Sequence, residues 1–453
     1  MRVTSSYKVE IRKLHKPLKR TLAVCRKAVS FLMPVIDGEW EHLSEIKGMK
    51  RRFNEAEHLI HGTKGNTAVY PFDKAFPKMP SYLRRAILQH VIGAVSSLRS
   101  KGQEKQAGED AGSDCLQGEA EGGAAVKRQT GTPERVPHYM PVFYRDNMYR
   151  KEEDRTYLKL YSGKDWLWYP VDLRKTDLSY LRRHWSGVQA KSPVLVKRHK
   201  KYYLQFAFEE QVSFSKTGTE KRRICAVDLG LNTDAVCSIM EADGTVAGRR
   251  FIRFPAEKDR LHHVLNRIRK KQRQYGPGSV GSFWAYAKRL NEEIGRRTAS
   301  AIVAYAHEQG AECIVFEYLM MRGKIRGKNR MKLHMWKKNT IQKTAEHQAH
   351  RHGIRISRVC AVKTSALAYD GSGAVSRDPG NHSLAVFSNG KQYNCDLSAS
   401  YNIGARYYIR EILKSVPETE RSVLTAKVPG VQRRTSCVYA DLLALAEAGR
   451  GIA

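Results

Sequence analysis

Asp228 ends the apolar run Ile224-Cys225-Ala226-Val227, and Glu317 ends a second one, Cys313-Ile314-Val315-Phe316. Asp396 opens a helix-like run of small residues, Leu397-Ser398-Ala399-Ser400-Tyr401-Asn402-Ile403-Gly404-Ala405. A carboxylate at the end of a buried strand loses hydration and calls for a compensating cation. Carboxylate and water oxygens are the ligands that magnesium prefers. Two divalent ions about 4 Å apart can clamp the attacking and departing oxygens of a phosphodiester in line. Metal-assisted cleavage of nucleic acid is therefore the chemistry these residue types permit. Each acid alone has a plainer reading: Asp228 as a turn residue, Glu317 as a solvated strand end, Asp396 as a helix N-cap. Asp234, six residues after Asp228, is expected to face solvent in a turn between strands.

The elements that must position these acids can be read from periodicity. A strand ends at Asp228, Ala235–Met240 reads as the next, and Phe251-Ile252 belongs to a third. A basic helix and a long helix over about 282–309 precede the Glu317 strand. This succession of strands and helices is that of a ribonuclease H-like fold, with the first Asp on the central strand and the Glu on its neighbour. Upstream, residues 1–20 alternate polar and apolar as a strand does, and 21–100 are helical, with Leu83, Ile87, Leu88, Val91, Ile92 and Val95 on one face. Residues 101–135 are rich in Gly, Ala, Glu and Gln and hold no aromatic residue, which predicts a flexible segment. Short aromatic strands over 137–213, including Tyr139–Tyr144, suggest a small barrel completed by the first strand. The Lys-Arg-His-Lys-Lys run at 197–201 would form a hairpin tip.

The charge balance points to a polyanionic partner: 80 Lys+Arg face 45 Asp+Glu, a formal net charge of +35. The helix Leu261–Gln274 carries Arg267, Arg269, Lys270, Lys271 and Arg273. The glycine-interrupted stretch from Met321 to Lys338 carries Arg322, Lys324, Arg326, Lys328 and Arg330 and reads as a mobile lid. Phosphate contacts need charge rather than sequence-specific groups, although a solvated face is the plainer reading of any single lysine. Trp284, Trp336 and Tyr275 could stack on bases or simply fill a core, and His347, His350 and His352 read as structural. Eight scattered cysteines form no Cys-x-x-Cys pair, so neither a disulfide framework nor a four-cysteine zinc site is expected. No run of about 18 apolar residues predicts a membrane helix, and the first residues lack the apolar core of a signal peptide. A cytoplasmic protein is expected.

The blocks Ala226-Val227-Asp228-Leu229-Gly230-Leu231, Ile314-Val315-Phe316-Glu317 and Tyr393–Arg406 resemble the three RuvC motifs of TnpB and the compact type V CRISPR effectors. The Asp-x-x-Ala-x-x-Asn-Ile core of the third block is the most specific. The resemblance covers roughly residues 136–415, and the N-terminal third fits by organisation only.

It implies a multidomain α+β protein: a RuvC (ribonuclease H-like) α/β nuclease domain plus a wedge β-barrel with an inserted helical recognition lobe. The expected divisions are 1–20, first wedge strand; 21–135, recognition lobe; 136–215, wedge barrel; 216–357, first RuvC part; 358–394, a small target-strand-loading insertion; and 395–453, the third motif and C-terminal helices. The implied activity is RNA-guided cleavage of DNA at a guide-matched target beside a short adjacent motif. Asp228, Glu317 and Asp396 would be the catalytic carboxylates and the ligands of Mg2+ or Mn2+. The implied partners are a guide RNA (CRISPR RNA or transposon-derived omega RNA), the double-stranded target DNA and its displaced single strand. No membrane is involved, the chain would act as monomer or homodimer, and its setting would be the nucleoid of a bacterium or archaeon.

One departure stands out. Most family members hold zinc through Cys-x-x-Cys pairs after a Thr-Ser and before the last Asp. Here Thr364-Ser365 leads into Ala366-Leu367-Ala368-Tyr369, and only Cys395 precedes Asp396, so no zinc is expected. His382 and Cys360 are the other conceivable ligands. Arg377, in this insertion, could meet DNA near the scissile phosphate. Two alternatives stay open: an RNA-guided DNA-binding protein without efficient cleavage, and a guide-independent RuvC-like nuclease.

Overall fold

The computed structural model describes residues 1–13, 16–63, 65, 67–110, 138–152, 155–319, 335–378, 380–381, 383–433 and 435–450. It is a mixed α+β chain of two units, Thr4–Glu209 and Met1–Val3 with Glu210–Ala453.

In the first unit, strand β1 (Arg2–Glu10) leads to helices α1 (Lys16–Gly38), α2 (Trp40–Glu45), α3 (Met49–Ile60), α4 (Phe72–Ala75) and α5 (Ser81–Asp110). There follow β2 (Tyr149–Glu152), β3 (Arg155–Tyr161), β4 (Trp166–Val171), α6 (Lys175–His184), β5 (Val194–Arg198) and β6 (Lys201–Gln211). Helix α1 buries Leu18, Cys25, Ala28, Val29, Leu32 and Ile36 at helical spacing, and the six predicted apolar residues of α5 are buried in the same core. The buried Thr21 hydroxyl accepts the Tyr161 N–H at 2.8 Å, tying the end of β3 to α1.

Four expectations need correction here. Lys16–Arg20 belong to α1 and not to the first strand, because the alternating pattern stops at Glu10. The composition change at Lys101 does not end α5, whose backbone stays helical to Asp110; residues 111–137 lie outside the described residues. Tyr139–Tyr144 forms no strand and makes only an isolated bridge, Val142 to Val194. No closed barrel forms among the described residues: β1-β6-β5 and β2-β3-β4 are separate three-stranded sheets. Helix α6 falls between them in the chain, with Leu178 and Leu181 only partly buried against the core. The basic run at 197–201 does form the predicted tip, with Arg198 opposite Lys201 in an antiparallel pair.

The second unit is built on a five-stranded sheet of order β11-β10-β7-β8-β9. Its strands are β7 (Ile224–Asp228), β8 (Ala235–Met240), β9 (Val246–Ile252), β10 (Cys313–Tyr318) and β11 (Arg355–Cys360). The first three form an antiparallel meander, while β10 and β11 run parallel to β7. Helices α7 (Pro255–Tyr275) and α8 (Gly281–Glu308) connect β9 to β10, and α9 (Lys338–Arg351) precedes β11. Every residue of β7 and β8 is buried, which is why they read as near-continuous apolar runs broken only by Asp228 and Ser238.

Alternation along the strands divides the core in two. Cys225, Val227, Ile314 and Phe316 pack with Ile302 and Ile341 from α8 and α9. Ile224, Ala226, Cys313 and Val315 pack on the other face with Tyr401, Ala405 and Tyr408. Those three belong to α10 (Cys395–Ser415), which is followed by α11 (Glu418–Lys427) and α12 (Tyr439–Arg450). From Cys395 to Ile409 except Asp396, every residue of α10 is buried, as in a core helix covered on all sides. Its small residues let the backbone approach the sheet: a Cβ on Gly404 would overlap the Met240 Sδ and lie 3.2 Å from the Ala226 Cβ.

Between β11 and α10 lies a small antiparallel sheet, β12 (Ser376–Arg377), β13 (Leu384–Val386) and β14 (Gln392–Asn394). Aromatic packing anchors it. The Tyr369 ring lies 5.7 Å from Phe387, 4.9 Å from Tyr393, 5.3 Å from Tyr401 and 5.9 Å from Tyr439, joining the insertion to α10 and α12. No helix among the described residues is long and apolar enough to cross a membrane. Because Met240 is fully buried beside Gly404, Gly404→Val should destabilise the fold by about 1–3 kcal/mol or more. A lowered denaturant midpoint would check this, and a neutral effect would contradict the close helix–sheet contact.

Candidate carboxylate site

The register of the sheet places the first two acids together. Val315 pairs with Ala226 and Phe316 with Val227, so the next step along both strands sets Glu317 beside Asp228. Neighbouring strands run about 4.8 Å apart. Two residues back, Ala226 and Val315 face α10, and the period of two turns both carboxylates to that same face.

The third acid arrives on α10. Asn394, not Asp396, caps this helix: its side-chain oxygen accepts the Leu397 N–H at 2.9 Å. The N-cap reading of Asp396 is thus corrected. With the cap supplied by Asn394, Asp396 sits in the first turn, where a negative charge suits the helix dipole. The Cys395 thiol donates to Asp396 Oδ1 at 3.3 Å. Burial and the neighbouring Asp396 push that thiol up to about 12, so it stays protonated.

Asp228 and Glu317 are both buried, 9% and 7% exposed. Burial pushes the Asp228 carboxyl well above the ordinary carboxylate range, and the charges of Glu317 and Asp396 push it further; Arg377 and the Leu229 N–H oppose them. Burial also raises Glu317, against the Thr364 hydroxyl and Arg406. Asp228 thus senses both of the other acids. Among the described residues, no group of three or more His, Cys, Asp and Glu side chains converges closely enough to hold one ion. Magnesium needs only one or two carboxylates per ion, with water completing its shell. The all-oxygen donor set suits magnesium or manganese rather than zinc.

Sequence reasoning missed the residues that hold this geometry. Thr364 donates to Glu317 Oε1. Gln342 Nε2 donates to the Glu317 carbonyl at 2.9 Å. Asn402 Nδ2 donates to the carbonyls of Thr364 and Leu367, both at 3.0 Å, while its Oδ1 accepts the Tyr439 N–H at 3.0 Å. The available signal was a fully buried polar side chain in a run of small residues, which requires partners.

The basic residues divide. Arg267, Arg269, Lys270 and Arg273 are exposed on α7, with Arg269 bonding Asn266 at 3.1 Å. Lys271 is partly buried, its Nζ 4.8 Å from the centre of the Phe283 ring, so it covers apolar surface. Arg377 is exposed on β12 and lies within electrostatic reach of Asp228. Arg322, Lys324, Arg326, Lys328 and Arg330, and His382, lie outside the described residues. Asp234 is corrected: it is buried, accepts the Phe254 N–H at 3.1 Å, and pairs with Lys258 at 3.0 Å, fastening the start of α7.

The model of the Aq_aa04 family matches residues 4–162. No curated protein sequence matches the chain. Among solved structures, the chain is similar to Cas12f1 in a complex with single-guide RNA and target DNA, at 10% identity and a TM-score of 0.46, over 81% of this chain and 91% of that one. It is also similar to CasPhi-2 (Cas12j) bound to crRNA, at 11% identity and a TM-score of 0.42, over 88% and 97% of the two chains. A third similarity is to Alicyclobacillus acidoterrestris C2c1 with single-guide RNA, at 10% identity and a TM-score of 0.39, over 56% and 53%.

Two outcomes follow from the site. Asn402→Leu strands two carbonyls and one N–H in the core and should cost about 3 kcal/mol or more in chemical denaturation. Asp228→Asn, melted in chelator at neutral pH, should be at least as stable as the unmodified chain because it removes a buried repulsion. Magnesium should raise the melting temperature of the unmodified chain but not of the variant; equal shifts in both would place the ion elsewhere.

Proposed function

We propose that the chain is an RNA-guided DNA endonuclease with a RuvC-type, ribonuclease H-like nuclease domain, formed by 216–357 and 395–453. One observation carries this reading: parallel register sets Glu317 beside Asp228 on the face of the sheet covered by the helix that begins next to Asp396. The three RuvC-like sequence blocks and the net charge of +35 support it.

In this reading Asp228, Glu317 and Asp396 hold magnesium or manganese. When bound, the ions supply an activated water and stabilise the departing oxygen. Thr364 fixes the Glu317 carboxylate through its hydroxyl. Arg377, exposed at the edge of the small sheet, draws a strand phosphate toward Asp228. Exposed Arg267, Arg269, Lys270 and Arg273 on α7 follow the phosphates of a guide–target duplex, for which charge suffices. Guide RNA and target DNA are thus the proposed partners, with the segment from α1 to residue 135 as recognition lobe, β1 and 136–215 as a wedge of open sheets, and 358–394 as the strand-loading insertion.

RNA copurifying with the full-length protein should carry a fixed scaffold and a variable guide. Supplied with that RNA and magnesium, the protein should cut a matched labelled duplex, and Asp228→Ala should abolish cutting while leaving RNA and target binding nearly intact. Cleavage by Asp228→Ala would refute the site. Guide-dependent binding without cleavage by the unmodified protein would favour the binding-only alternative, and cleavage of branched DNA by RNA-free protein the guide-independent one.

A further inference from the structure

A second concave site lies on the flank of α10 and shares Arg406, whose charge also acts on Glu317. A cavity of about 250 Å³ is lined by Arg358, Arg406, Arg410, Lys414 and Arg421, and no carboxylate lines it. Cys360, Cys437, Ile409 and Leu413 are also in its lining.

Most of these cations already have partners. Arg358 pairs with Glu346 at 2.8 Å, Arg410 with Glu411 at 2.8 Å, and Lys414 with Glu411 at 3.7 Å. Arg421 pairs with Glu418 at 2.8 Å, yet its buried Nε has no partner among the described residues.

Arg406 is the exception that matters. It is 4% exposed and makes no ion pair among the described residues. Its Nε donates to the Cys437 carbonyl at 3.0 Å, and Nη1 to those of Cys360 and Val362 at 2.7 and 2.8 Å. Nη2 is buried with no partner among the described residues. Arg406 lines the cavity without an ion pair among the described residues, and a guanidinium held in place by three carbonyls suits an anion with several acceptor oxygens. Drug-sized ligands occupy pockets of about 300 Å³ and above, so the volume suits a single small anionic group.

We propose that this cavity binds a phosphate group, free or as the monoester at the end of a nucleotide chain. The binding needs neither metal, guide nor cleavage, so it can hold or fail independently of the nuclease reading.

Calorimetric titration of the full-length protein at fixed ionic strength, with chloride as control, tests it. The probes are inorganic phosphate, a 5′-phosphorylated dinucleotide and the same dinucleotide ending in a hydroxyl. Inorganic phosphate should bind, and Arg421→Gln should weaken it about tenfold without lowering the melting temperature. Arg406→Lys should weaken it at least as much. Should that variant fail to fold, Lys414→Gln combined with Arg421→Gln at the cavity mouth carries the test. If the phosphorylated dinucleotide also binds and the hydroxyl form does not, a strand end is the ligand; binding of inorganic phosphate alone names the free ion. No heat above the chloride control, or unchanged affinity in both Arg421→Gln and the double variant, would overturn the proposal and leave ordered water as the occupant.

Discussion

The constraint on which the second unit depends is the burial of two like charges side by side. Parallel pairing of β10 on β7 leaves Asp228 and Glu317 no choice but adjacency, and burial raises both carboxyls. Such a pair is tolerated only where the surrounding core is strong enough to impose it. Here the core is a sheet whose inner strands β7 and β8 are buried on both faces, clamped by α10 on one side and by α8 and α9 on the other. The close approach at Gly404 and the hydrogen bonds of Asn402 belong to the same clamp.

The elements that carry the acids are legible in the sequence because fully buried strands leave an unmistakable mark. Ile224–Val227 and Cys313–Phe316 are unbroken apolar runs, and β8 spans the predicted Ala235–Met240. The core faces of α1 and α5 follow from simple periodicity for the same reason. What periodicity cannot convey is partnership. Asp234 is identical in type to a turn aspartate, yet Phe254 and Lys258 bury it. Asn394 takes the cap that an aspartate two residues later could have taken. The barrel expectation fails on long-range pairing: the aromatic strands other than Tyr139–Tyr144 exist, but nothing local dictates that β1-β6-β5 and β2-β3-β4 should remain apart.

The buried polar groups form one connected set rather than a scatter. Asn402 holds the backbone at Thr364, Thr364 holds Glu317, and Gln342 holds the same strand from α9. Arg406, one turn beyond Asn402 on α10, ties the backbone at Cys360 and Val362 just upstream of Thr364. Loop, helix and strand are thereby locked around a single carboxylate, and the charge next to it inherits that rigidity.

Strand β14 ends at Asn394 and α10 begins at Cys395. There is no linker between them, and the last residue of the strand is also the cap of the helix. The small aromatic-packed sheet and Asp396 thus share one continuous piece of backbone with no joint to absorb slack. Anything that grips the sheet grips the carboxylate as well, as a hand on a key turns the bit inside the lock.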